Sequence, residues 1–166
     1  VAANTRCIQY AKNAGLKVKA LMSIGHAGES KESIENTKNW LLETKPEDFD
    51  CTIITTYPGS PYFDDAVQED DYYVYTQPRT GDRLYQKDLN YLEEPDYYKG
   101  DPEGGYKAYV WTDNITSEEL VMERDKLEKE VREELNIPFN PAGGFIKFEH
   151  SMGQGQLPHS ILKRTL

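Results

Sequence analysis

The sequence predicts an α/β fold: a parallel helix–strand layer first, an antiparallel tyrosine-rich β appendage behind it, and a long helix near the end. Three observations carry this. Residues 5–56 alternate as helix, strand, helix, strand with short loops, the pattern of parallel pairing. Residues 71–112 are rich in tyrosine and broken by Pro and Gly at turn spacing, as short antiparallel strands are. Thr116-Ser117-Glu118-Glu119 is a capping box that opens an amphipathic helix. The expected units are residues 1–66, 67–140 and 141–166.

The first helix is read over 5–14, with Cys7, Ile8, Ala11 and Ala14 at helical spacing and Gly15 as its stop. Residues 16–24 alternate and then become continuously apolar, which predicts a strand entering a buried sheet. Ser30 is a natural N-cap for a helix over 31–43, with Ile34, Thr37, Leu41 and Leu42 on one face and Lys45-Pro46 ending it. Residues 50–56 are β-branched and predict the second strand. Two strands do not make a stable parallel sheet by themselves, so an open edge, an uncovered apolar face and pairing into a homodimer are expected.

Beyond the Pro58–Pro61 turn, residues 62–67 suit a short helical turn. Residues 72–76 and 83–85 read as a hairpin turning at Gly81-Asp82, and a second hairpin has residues 101–105 as its loop and 106–112 as its returning strand. The helix from Ser117 to Leu135 carries Leu120, Leu127, Val131 and Leu135 as its apolar stripe. Asp125–Lys129 and Glu128–Arg132 are i,i+4 pairs on a charged face expected to be solvated. Pro138 ends the helix. Residues 141–166 are expected to be a flexible tail; Glu149 and His150 read as an acid–base pair or as a substrate-lining loop, though adjacent residues of a strand point to opposite faces, and His159 stands alone.

Among the 166 residues, 29 Asp and Glu outnumber 19 Lys and Arg, giving a net charge of -10. That field repels a phosphate backbone and argues against a nucleic-acid partner. No apolar run reaches the ~18–20 residues of a membrane span. A mean hydropathy of -0.77 is low for a self-contained domain and suggests either much solvent-facing surface or a missing partner. The start at Val1, without Met or leader, reads as a cut inside a longer chain. Cys7 and Cys51 belong to no CxxC or Cys/His pair. They are expected as two buried apolar side chains in a reducing, cytoplasmic compartment, with a disulfide between them as the alternative.

Two strand ends carry candidate chemistry. Ile24-Gly25-His26-Ala27-Gly28-Glu29 follows the first strand, and its glycines let the backbone approach a ligand where α/β folds bind them; a plain turn would look the same. His26 is either substrate-facing or simply solvated, and Glu29 is equally well a first-turn acid. Thr55-Thr56-Tyr57-Pro58-Gly59-Ser60-Pro61 follows the second strand as a rigid exit.

In this order and separation the two runs resemble radical S-adenosylmethionine (radical SAM) enzymes, particularly the B12-binding-domain type and relatives with a MiaB-like barrel. The resemblance covers residues 5–66. It departs from the family at Ala27, where proline is usual. It implies the last two β/α units of a partial (β/α)6 barrel. In such enzymes a [4Fe-4S] cluster reduces S-adenosylmethionine to a 5′-deoxyadenosyl radical that abstracts a substrate hydrogen. Ile24 and Gly25 would touch S-adenosylmethionine, Thr56, Tyr57 and Pro58 its adenine, and His26 the substrate.

The cluster's CxxxCxxC loop is absent, and Cys7 and Cys51 have neither its number nor its spacing. The chain alone is therefore expected to bind no cluster and to catalyse nothing. Its partners would be the N-terminal remainder of the same protein and an unidentified small-molecule substrate. The parent would be an oxidoreductase, or a methyltransferase with an upstream cobalamin domain. A stand-alone binding module and a structural subunit are the competing readings.

Overall fold

A computed structural model describes residues 1–89 and 107–138. Helix α1 (Ala2–Asn13) buries Ile8 and leaves Cys7 exposed. The expectation of two buried cysteines therefore holds for Cys51 alone, because Cys7 lies on the solvent side of α1. The helix closes as the sequence suggests: Gly15 takes φ +76°, its N–H reaches Lys12 O (2.9 Å), and Leu16 N–H reaches Ala11 O (3.0 Å).

Strand β1 (Lys19–Ile24) and strand β2 (Asp48–Ile53) pair in parallel, from Lys19 opposite Asp48 to Ile24 opposite Ile53. Helix α2 (Lys31–Thr44) makes the crossover. Its capping box is built by two serines: Ser30 Oγ accepts from Ser33 N–H and Ser33 Oγ accepts from Ser30 N–H. Lys45 closes the helix in the left-handed region ahead of Pro46. Ala20, Ile24, Phe49, Cys51 and Ile53 pack with Ile34 and Leu41 in the core.

The opposite face of this sheet is polar, not apolar as expected. Strand alternation puts Lys19, Ser23 and Thr52 there. Lys19 Nζ bridges Asp48 and Asp50 at 3.0 and 3.1 Å, and only Leu21, 75% exposed, breaks the pattern.

Behind the short helix α3 (Pro61–Asp64), an antiparallel sheet runs in the order β3 (Val67–Glu69), β4 (Tyr72–Thr76), β5 (Arg83–Lys87), β6 (Val110–Thr112). The β4–β5 turn spans residues 77–82 and is not a two-residue turn: Gln77 N–H bonds Asp82 O, and Gly81 N–H bonds Gln77 O. The short strand β3, whose first residue Val67 is also the last residue of the helical turn the sequence suggests, pairs with β4 through a turn in which Asp70 adopts φ +50°. The sheet is also no appendage. Tyr75, Leu84 and Val110 belong to the same buried cluster as Ile24 and Ile53. The second hairpin's loop and the tail, with Glu149, His150 and His159, lie outside the described residues.

Helix α4 (Ser117–Leu135) starts at the capping box read from the sequence, Thr116 with Glu119. Leu120, Leu127 and Val131 are buried. Its charged face departs from expectation, because Arg124 and Glu128 are only 2% and 1% exposed. They seal the outer edge of β2: Glu128 Oε1 accepts Cys51 N–H (2.9 Å), Arg124 Nε–H donates to Cys51 O (2.9 Å), and an Arg132 N–H donates to Phe49 O (2.8 Å). The Glu128–Arg132 pair is present at 2.7 Å with Glu128 buried and Arg132 half-buried, and Asp125 pairs with Arg124 at 2.9 Å. The parallel sheet, expected to keep an open edge, is thus closed on its β2 side. The observed architecture is a mixed α/β fold with four helices and two small sheets among the described residues. None of those helices is long and apolar enough to cross a membrane.

Candidate functional site

Parallel pairing brings the carboxyl ends of β1 and β2 side by side. Gly25, just after β1, takes φ +88°. A Cβ there would sit 3.2 Å from methyl groups of both Ile53 and Val110, so Gly25 is required by conformation and by close approach. Its N–H donates to Glu29 Oε2 (2.9 Å), while Ser33 Oγ donates to Glu29 Oε1. Glu29 N–H closes the turn onto His26 O at 2.9 Å. Glu29 is therefore the internal brace of the loop, a role more specific than a first-turn acid. Gly28 (φ +82°) leaves no room for a Cβ against the Asp82 carboxylate, 2.8 Å away.

The second loop is held from behind. Thr56, 6% exposed, donates its hydroxyl to Gln86 Oε1, and Gln86 Nε2–H donates to Tyr62 O (2.7 Å). Gln86 is itself 2% exposed on β5, so the antiparallel sheet positions the exit from β2. Tyr57 and Pro58 are exposed. Gly59 N–H donates to Asp64 Oδ1 and Ser60 Oγ–H to Tyr57 O, which fixes the turn into α3.

His26 joins the two loops. Its Nε2 lies 2.9 Å from Ser23 Oγ and its Nδ1 3.2 Å from the Tyr62 hydroxyl. Burial pushes its pKa below the usual imidazole value, opposed in part by the Glu29 carboxylate. Burial likewise raises Tyr62, which stays protonated.

The sequence-named residues thus meet in part. Gly25, His26, Tyr57 and Pro58 lie on the loops at one end of the sheet. Thr56 is tied into the interior, and Ile24, 1% exposed, turns its side chain into the core. Ser23, Tyr62 and Gln86 were not read as site residues. Ser23 looks like ordinary strand alternation, and nothing local marks Tyr62 or Gln86 among so many tyrosines and polar strand positions. Cys7 on α1 is exposed and Cys51 on β2 is fully buried. No family model matches the chain, and neither does any curated protein or solved structure.

Proposed function

We propose that the chain forms the last two β/α units of a radical SAM partial (β/α)6 barrel, and that its two loops form part of the S-adenosylmethionine site. The observation that carries this reading is the parallel β1–β2 register. It sets the Gly25–Glu29 loop beside the Pro58–Pro61 turn at one end of the sheet, and the two family-like runs would have to sit together there to share a ligand.

In this reading Gly25 offers close backbone approach, and Tyr57 and Pro58 offer exposed surface to the adenine. Thr56, held by Gln86, positions them from behind. The Ile24 side chain, which the resemblance assigns to apolar packing on S-adenosylmethionine, is 1% exposed and serves the core. S-adenosylmethionine, when bound with a reduced cluster, supplies the radical; the residues here bind and orient. The cluster ligands would belong to an upstream CxxxCxxC segment of the same cytoplasmic protein. A cobalamin domain there would make the parent a methyltransferase.

The test is to express residues 1–166 fused to the coding sequence that precedes them and to reconstitute iron and sulfide anaerobically. The expected outcome is a CxxxCxxC loop on the order of 150 residues upstream, as four further β/α units require. Release of 5′-deoxyadenosine from S-adenosylmethionine under reduction should accompany it. Absence of such a loop sinks the reading.

A further inference from the structure

Ser23, His26 and Tyr62 come from β1, the following loop and α3, and meet in one hydrogen-bonded line. Ser23 is exposed on the polar face of the sheet, the face that also carries Lys19, Asp48, Asp50 and Thr52. His26 Nε2 lies behind it at 2.9 Å and Tyr62 OH behind Nδ1 at 3.2 Å. Tyr62 is itself fixed. Its ring packs on Tyr75 with centroids 4.7 Å apart, and the Ala27 backbone amide hydrogen-bonds its hydroxyl. The titratable groups around the imidazole are Glu29 ahead of α2 and Tyr62 of α3, with Tyr75 of β4 behind Tyr62. Glu29 is committed to Gly25 N–H and Ser33.

An imidazole held from both nitrogens, with a hydroxyl at its open end, is an arrangement that moves protons. We propose that Ser23, His26 and Tyr62 form a proton relay serving a hydroxyl-bearing small molecule bound on the polar face of β1 and β2. Ser23 Oγ is the end that meets the ligand, and Tyr62 is a positioning residue that accepts the His26 Nδ1–H. As the ligand's O–H bond breaks, its proton passes to Ser23 Oγ and the Ser23 proton passes to His26 Nε2. The products are a ligand oxyanion and an imidazolium, with no redox change. The relay needs His26 as the neutral Nδ1–H tautomer, with Nε2 bare toward Ser23. It does not depend on the radical SAM reading and is tested without S-adenosylmethionine.

The experiment uses the intact chain. Long-range 15N–1H correlation spectra report the His26 tautomer, and diethyl pyrocarbonate followed by peptide mass spectrometry reports the reactivity of its free nitrogen. The expected result is the Nδ1–H tautomer in the parent chain. Ser23→Ala then speeds His26 carbethoxylation several-fold by uncovering Nε2. Tyr62→Phe keeps the ring against Tyr75 and shifts the tautomer toward Nε2–H. An Nε2–H tautomer in the parent chain, or a Ser23→Ala rate equal to the parent's, overturns the relay.

Discussion

At the residue scale, His26 couples the site to pH. Its folded-state pKa lies below that of the unfolded chain because burial disfavours the imidazolium. Protonation therefore favours the unfolded state. The stability this group contributes is full above the ordinary imidazole value and is lost as pH falls from there through the lowered folded value. The carboxylates with lowered values, Glu47, Asp113, Glu119 and Glu130, titrate in a more acidic window. Thermal melts should show Tm falling as pH drops from neutral toward 5, and His26→Gln should flatten that step; an unchanged slope would remove His26 as its cause. The sequence made the turn around His26 legible, because paired glycines after an apolar strand mark a turn, but they do not tell a site from a plain turn. The partners of His26 were not legible. Tyr62 reaches it from 36 residues away in sequence, and that proximity is created by parallel pairing rather than by any local pattern.

At the scale of elements, helix α4 shows where pattern reading succeeds and fails. The capping box and apolar stripe were readable because they depend on fixed spacing along one helix. The burial of Arg124 and Glu128 was not, since their partners are backbone groups of β2, more than 70 residues away in sequence. A charged face at helical spacing looks the same whether it meets water or the edge of a strand. The difference has energetic weight. Glu128→Ala would leave two guanidinium groups without their shared carboxylate and Cys51 N–H without its acceptor, at a cost of about 3–5 kcal/mol. Glu130→Ala removes only the more exposed pair with Lys38, at a cost of ~0–1 kcal/mol. Urea denaturation should separate the two variants clearly. Hydrogen exchange at Cys51 should accelerate in the first alone; equal effects would mean the β2 edge does not depend on Glu128.

At the scale of the molecule, the two sheets and α4 share one core, although the sequence reads as a layer plus an appendage. The change from parallel to antiparallel character near Pro61 is real in topology. Composition alone does not reveal that Tyr75, Leu84 and Val110 turn inward against Ile24 and Ile53. Tyr72, Tyr85 and Trp111 instead line the outer face, with Tyr85 and Trp111 stacked 8° from parallel. The excess of tyrosine thus serves both faces of one sheet, inside as core and outside as a half-exposed aromatic row.

The seal that α4 places on β2 also gives the parallel sheet a direction. Strand addition can occur at β1 and nowhere else along that sheet, and the acidic run Glu69-Asp70-Asp71 beside the short strand β3 discourages pairing at that edge of the antiparallel one. Copies that join through β1 therefore form a closed pair as far as the parallel sheet is concerned, whereas two open edges on that sheet would allow open-ended growth. Light scattering across a concentration series should level off at no more than twice the mass of the chain. Continued growth in mass would show that the β2 edge is not closed in solution. One buried carboxylate and two arginines thus close one side of the parallel sheet to strand addition.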